Sequence, residues 1–262
     1  MNKYCVIGMG FIFSRHKQAI ESTGGRIVLT CDINFPKNHP DFTDWVEMYY
    51  SPRFDEVDTV VILTPNYLHS VMTREALLRG KKVICEKPFH IGTPRNMDGA
   101  NAVLQLRYNP NILSLKQKKI KDVYVEAKMY RDESYWNSWK GDPIKSGGIL
   151  YNLGIHYIDL LIFILGDEYE IFDFSITDKL AIGTVKFKNT MARFHIEIVS
   201  DKQEQGRKLV IDNEEIILSN QENLSYEDLH TEVYRHFLAG DGIGSKEANK
   251  AIILIEKCLK FQ

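Results

Sequence analysis

The order of apolar and polar positions divides this chain in two. In the first hundred or so residues, short apolar runs alternate with stretches of helical period. Tyr4 to Ile7, Arg26 to Cys31, Thr59 to Leu63 and Lys82 to Cys85 read as strands, and Val103 to Leu106 as another. Phe13 to Thr23, closed by Gly24-Gly25, and His69 to Leu78, stopped by Gly80, read as helices between them. Nearly continuous apolar strands separated by helices predict a parallel sheet covered on both faces. From Phe35 to Asp58 the pattern predicts no element.

Beyond Leu113 to Lys121 the pattern becomes alternating, over Val123 to Tyr130, Ile171 to Ile176, Ala181 to Phe187, Met191 to Val199 and Lys208 to Leu218. Phe194-His195-Ile196-Glu197-Ile198 sends apolar and polar side chains to opposite faces, the signature of a half-buried antiparallel strand. A helix around His156, ending near Gly166-Asp167, separates the first of these strands from the rest, and Lys246 to Leu259 predicts a closing helix. A broad sheet with one face left uncovered predicts a homodimer or homotetramer.

Composition narrows the class. With 44% hydrophobic and 26% charged residues and a formal net charge of -2, the chain reads as an ordinary soluble protein with no electrostatic case for nucleic acid or membrane. The apolar run Leu160 to Leu165 is short for a membrane span, and the run after Met1-Asn2-Lys3 meets Gly8 too soon for a signal peptide. The four cysteines lack metal-ligand spacing, and neither they nor the eight histidines suggest a metal site. Reduced core thiols in the cytoplasm are expected.

Two groups of residues carry the chemistry. Gly8-Met9-Gly10-Phe11-Ile12-Phe13 follows a strand and opens a helix. The first glycine permits the tight turn and the second lets backbone approach a pyrophosphate at the helix N-terminus, with Phe11 and Ile12 alongside. Phe13 stands where this turn usually has Gly or Ala. Asp32, at the end of the second strand, is placed to accept hydrogen bonds from ribose hydroxyls and to repel a 2′-phosphate, so NAD is expected. The loop Thr64-Pro65-Asn66-Tyr67-Leu68-His69 also lies beyond a strand, placing Thr64, Asn66 and His69 beside the cofactor. Glu86-Lys87-Pro88 ends another strand. There Lys87, its amine depressed beside a cationic nicotinamide, is positioned to exchange protons, and His156 is the natural second proton handler. A shared helical face predicts that Asn152 and Asp159 accompany His156.

Taken in order, the glycine turn, Thr-Pro-Asn-Tyr-Leu-His, Glu-Lys-Pro and Gly-Gly-x-x-x-Asn-x-Gly-x-His-x-x-Asp resemble the glucose–fructose oxidoreductase and inositol dehydrogenase family over almost the whole chain. The resemblance implies an α/β protein with an N-terminal Rossmann dinucleotide-binding domain (residues 1–107) and a C-terminal α/β domain on an open, mostly antiparallel sheet (108–262). It also implies hydride transfer at a sugar carbon, with Lys87 and His156 as the catalytic pair and Glu86 and Lys87 near the cofactor. Many members carry Asp at the position of Asn152; Asn takes no proton, so Asn152 is expected to bind substrate.

Within the family, the stretch Ser138-Trp139-Lys140-Gly141, Lys145-Ser146-Gly147-Gly148 and Tyr151 to His156 resembles the UDP-N-acetyl-2-amino-2-deoxyglucuronate dehydrogenases. Arg15-His16, Leu104-Gln105-Leu106-Arg107 and Leu229-His230-Thr231 with Val233-Tyr234 extend the likeness. It implies oxidation of the C3 hydroxyl of UDP-N-acetylglucuronate, in making bacterial lipopolysaccharide sugars. Arg15, Arg107, Trp139, Lys140, Lys145 and Ser146 are the expected substrate-binding residues, the cations meeting pyrophosphate and carboxylate. A dehydrogenase of another sugar or cyclitol, and a non-catalytic NAD-binding sensor, are the alternatives. The short stretch between Pro88 and Val103 is a departure in length.

Overall fold

The computed structural model of the chain describes residues 1–116, 118–216, 218 and 226–261. Its first part runs β1 (Lys3–Ile7), α1 (Phe13–Ser22), β2 (Arg26–Cys31), α2 (Trp45–Tyr50), β3 (Thr59–Ile62), α3 (Asn66–Leu78), β4 (Lys82–Cys85) and β5 (Ala100–Ala102). These five strands form one parallel sheet in the order β2-β1-β3-β4-β5. The chain turns back between β1 and β3, so this sheet has the switch point at which doubly wound folds bind ligands.

Successive side chains of β1 face opposite ways. Cys5 and Ile7 join the core under α2 and α3, with Met48, Tyr49, Met72 and Ala76. Tyr4 and Val6 face α1 instead, with Ala19 and Ile20. Because α2 and α3 both lie on the first of these faces, the second needs cover over β3 and β4. That cover comes from the far end of the chain: Val233, Tyr234 and Phe237 of α8 (Tyr226–Ala239) pack on Val61, Ile84 and Val103.

Several expectations are corrected here. Val103 to Leu106 is no strand; β5 lies a few residues earlier, and a 3-10 turn occupies Gln105–Tyr108. The crossover from β4 to β5 holds no helix, in keeping with the shortness of the stretch after Pro88. The irregular segment contains α2, capped by Asp44 through the Val46 amide, and a 3-10 turn at Pro52–Glu56.

The second part continues with α4 (Pro110–Leu113), β6 (Asp122–Tyr130), α5 (Glu133–Trp136), α6 (Pro143–Ser146), a π-helical turn (Leu150–Gly154) and α7 (Ile155–Leu165). Then follow β7 (Tyr169–Ile176), β8 (Leu180–Phe187), β9 (Thr190–Val199), β10 (Gly206–Ile211), β11 (Glu214–Ile216), α8 and α9 (Ser245–Lys260). The sheet order is β11-β10-β6-β9-β8-β7, antiparallel except between β6 and β9. The stretch read as one strand from Lys208 to Leu218 is two, folded at Asp212-Asn213, both at positive φ; Ile217 lies outside the described residues. Val123, Val125 and Ala127 of β6 and Phe194 and Ile196 of β9 bury one face in the core that includes α7 and α9, while Tyr124, Arg193 and His195 stay partly or fully exposed on the other. The segment Pro143–Leu165 is long and apolar enough to span a membrane, contrary to the shorter run read from the sequence. Its most apolar window is 67% buried within the fold, as a core helix is. All four cysteines are buried and unpaired.

Candidate active site

The nucleotide end is built at the carboxyl edge of the first sheet. Gly8 leaves β1 at φ +96°, and a Cβ there would lie 2.7 Å from the Leu63 carbonyl oxygen, so both conformation and packing demand glycine. Gly10 meets nothing within 4 Å of a Cβ, which leaves open backbone at the mouth of α1 where a pyrophosphate would lie. Asp32 accepts from the Met9 amide (2.5 Å) with one oxygen and from the Asn34 amide (2.7 Å) with the other. It thereby ties the end of β2 to the glycine turn, and each oxygen keeps a lone pair for a ribose hydroxyl. Phe13 is accommodated at the margin of the α1–α8 core. Phe11 is 84% exposed beside Ile12, with the Arg15 guanidinium 5.7 Å from its ring. These residues fit NAD.

The catalytic end joins the two sheets. Pro88 follows Lys87, and Lys87 Nζ donates to the main-chain carbonyl of Asn152 at 3.0 Å. That carbonyl belongs to the π-helical turn, a wider turn that often marks functional sites. The Asn152 side chain donates to the Tyr135 hydroxyl (2.8 Å), and the Arg131 guanidinium lies 5.4 Å from the Tyr135 ring centre. Burial lowers the pKa of the Lys87 amine; the Glu86 charge opposes this, and the charges of Lys140 and Arg131 add to it. His156, half-buried on α7, is held well below the ordinary histidine value by burial and then by the Lys87 charge. Its Nδ1 is buried without a hydrogen-bond partner in the protein. A base and an imidazole with an unclaimed nitrogen therefore share one electrostatic environment.

Other expected site residues are held elsewhere. Asn66 is buried and its amide donates to the Ser146 carbonyl (2.8 Å), tethering α3 to α6. Ser146 is itself buried, its hydroxyl donating to the Asp142 carbonyl. Both nitrogens of His69 face carbonyls, of Pro88 (2.7 Å) and Thr64 (2.8 Å), so His69 fixes the loops flanking Lys87 and keeps no nitrogen for a cofactor. Arg107 is gripped by Asp159 through Nε (2.8 Å) and Nη2 (2.6 Å), both residues buried. Neither is available to a substrate, and Asp159 leaves the stripe expected to run through Asn152 and His156. One oxygen of the Glu86 carboxylate faces His16. Thr64 lies in the short loop between β3 and α3, its hydroxyl on the Met72 sulfur. Lys145 is exposed and 3.4 Å from Asp142, while Lys140 lies over the Trp139 ring at 5.9 Å. Arg131 was not singled out in the sequence. Its only signal is a lone arginine after a long alternating strand.

The comparisons agree with this geometry. Residues 2–108 match the family model described as oxidoreductase family, NAD-binding Rossmann fold, and residues 114–174 match its C-terminal alpha/beta domain. The chain belongs to this glucose–fructose oxidoreductase and inositol dehydrogenase family of oxidoreductases, and its first domain is the family's NAD-binding fold. It is similar to the WlbA (WbpB) dehydrogenase of Thermus thermophilus solved with NAD and UDP-GlcNAcA: 29% identity, 98% of this chain and 94% of that one covered, TM-score 0.83. The same enzyme solved with NAD and alpha-ketoglutarate gives 30% identity, 96% and 93% coverage and a TM-score of 0.80. An inositol 2-dehydrogenase/D-chiro-inositol 3-dehydrogenase of Lactiplantibacillus plantarum is 24% identical over 64% of this chain and 54% of its own length. The chain spans about a third to just over half the length of the curated relatives it matches.

Proposed function

We propose that this protein is an NAD-dependent dehydrogenase that oxidises the C3 hydroxyl of UDP-N-acetylglucuronate to a ketone, a step in bacterial lipopolysaccharide sugar synthesis. The observation that carries the reading is Lys87, its amine buried at the sheet edge on the Asn152 carbonyl and close enough to His156 for its charge to act on that imidazole. Lys87 takes the hydroxyl proton, and His156 hydrogen-bonds the same oxygen and steadies the alkoxide character that develops on it. The chemistry supplied by bound NAD is acceptance of the hydride from C3. Gly8, Gly10 and Asp32 would hold it, with Phe11, Ile12 and Thr64 alongside.

An anionic substrate is supported by charge. Arg131, whose guanidinium donates to the Tyr130 carbonyl and feels the adjacent Asp132 charge, and Lys140 both act on Lys87. Two positive groups beside a buried amine suit a hexuronate carboxylate or a pyrophosphate. The likeness to the Thermus enzyme solved with UDP-GlcNAcA supports the same choice. The inositol dehydrogenase relative favours a second reading, a cyclitol or free sugar as substrate. Comparing kcat/KM for UDP-N-acetylglucuronate, UDP-N-acetylglucosamine and myo-inositol tests the two: a strong preference for the first is expected, and a preference for myo-inositol overturns the substrate assignment. A cytoplasmic location and a homodimer or homotetramer joined through the open face of the second sheet complete the proposal. Sedimentation velocity tests the assembly, and a monomer contradicts it.

A further inference from the structure

The carboxylate immediately before Lys87 is surrounded in an unusual way. Glu86 Oε1 lies 3.1 Å from His16 Nε2 on α1 and 3.9 Å from His230 Nε2 on α8. His16 Nδ1 lies 2.8 Å from the Tyr234 hydroxyl, also on α8, and the His16 and His230 rings meet edge to face at 5.2 Å. His16, His230 and Tyr234 are at most 1% exposed. Their neighbours in the α1–α8 contact are apolar: Ala19, Ile20, Val233 and Phe237. Burying polar rings costs stability unless they find partners, and an all-apolar contact would hold the helices together as well. What these polar groups share is Glu86.

We propose that His16 and Tyr234 are positioning residues which, with His230, clamp the Glu86 carboxylate in one place behind Lys87. This deepens the proposed function, since it rests on Lys87 being the base. Helix α8, supplied by the far end of the chain, thereby belongs to the catalytic apparatus of the first domain. The clamp keeps Glu86 anionic: burial raises its pKa, but the hydrogen bond from His16, then the charges of His16, Lys87 and His230, outweigh this and hold it at about 2. The groups bearing on Glu86 are His16, His230 and Tyr234, Lys87, His69 of α3 and His156 of α7. Those bearing on Lys87 are Glu86, Lys140, Arg131, His69 and His156. A fixed anion favours protonated Lys87, so a released or neutralised Glu86 lets the amine lose its proton at lower pH.

The test follows Lys87 without a sugar substrate. Acetic anhydride acylates only the unprotonated amine, and mass spectrometry of the Lys87 peptide gives the pH midpoint of the reaction. In Glu86→Gln and His16→Ala the midpoint is expected to fall by roughly one pH unit. Tyr234→Phe should move it in the same direction by less. His16→Gln, which keeps a donor for Glu86, should restore the wild-type midpoint. NAD affinity reports folding, and Tyr234→Phe, lacking one oxygen, keeps the test readable should His16→Ala not fold. Wild-type midpoints in both Glu86→Gln and Tyr234→Phe overturn the clamp. So does one equivalent of zinc in the purified protein that His16→Gln loses, because His16, Glu86 and His230 lie close enough to ligate an ion. Shifted midpoints in a protein that oxidises none of the sugars leave the clamp standing and remove the substrate assignment.

Discussion

Lys87 and Asn152, 65 positions apart in sequence, meet through one hydrogen bond of 3.0 Å from the lysine amine to the asparagine main-chain carbonyl. One residue stands two positions past the end of β4 in the nucleotide-binding sheet, and the other lies in the π-helical turn before α7. The bond holds the lysine amine between the two sheets. Its removal should separate chemistry from binding. Lys87→Met is expected to reduce kcat by roughly 10²–10⁴-fold with NAD affinity unchanged by fluorescence titration.

The pH dependence follows from the same two residues. Burial lowers the pKa of Lys87, and His156 is pushed well below the ordinary histidine value. A base must be unprotonated, so kcat/KM should rise with pH through one ionisation lying below that of a free lysine. His156 is already neutral across that range and adds no second limb. A pH profile of kcat/KM checks this, and a limb that survives in Lys87→Met contradicts it.

Glu86 makes stability depend on pH. Its folded value of about 2 lies below its ordinary 4.5. A depressed carboxyl contributes stability that is full above about 4.5 and is lost as pH falls toward 2. Glu86→Gln should be less stable than the wild type by roughly 1–3 kcal/mol at neutral pH, and the gap should close as pH falls through that window. Urea unfolding at several pH values measures it.

The two glycines of the turn should respond differently. Gly8→Ala places a methyl 2.7 Å from the Leu63 carbonyl at a positive φ, and should lower Tm. Gly10→Ala meets no protein atom, so Tm should hold while NAD affinity falls. Thermal melts with and without NAD separate the cases.

Arg107 and Arg131 should respond in opposite ways to substitution. Arg107→Ala strands a buried Asp159 and is expected to cost about 3–5 kcal/mol of stability. Arg131→Gln should leave stability unchanged and raise KM for UDP-N-acetylglucuronate by roughly 10–100-fold, with little effect on neutral UDP-sugars. Denaturation and steady-state kinetics on the two variants test both halves.

These contrasts mark what the sequence could disclose. β1 to β4 were legible because parallel strands buried on both faces leave unbroken apolar runs. The positions of Lys87 and Asp32 just beyond strand ends are legible because the apolar runs before them mark those strands. β5 was misplaced because Ala100-Asn101-Ala102 lacks the branched residues that mark a strand. Helix α8 does not show in the local pattern around Leu229-His230-Thr231 and Val233-Tyr234, because the surface it covers lies on a sheet far away in sequence. Arg107 was misassigned for the same reason: its partner Asp159 stands 52 residues away, and local pattern carries no trace of such a pairing.

The most direct test mixes purified protein, NAD and UDP-N-acetylglucuronate and follows absorbance at the NADH band, with and without 2-oxoglutarate to reoxidise retained cofactor. NADH formation, or turnover that depends on the acceptor, abolished in both cases by Lys87→Met, is the predicted result. Bound NAD with neither signal, or turnover that survives Lys87→Met, would contradict the account.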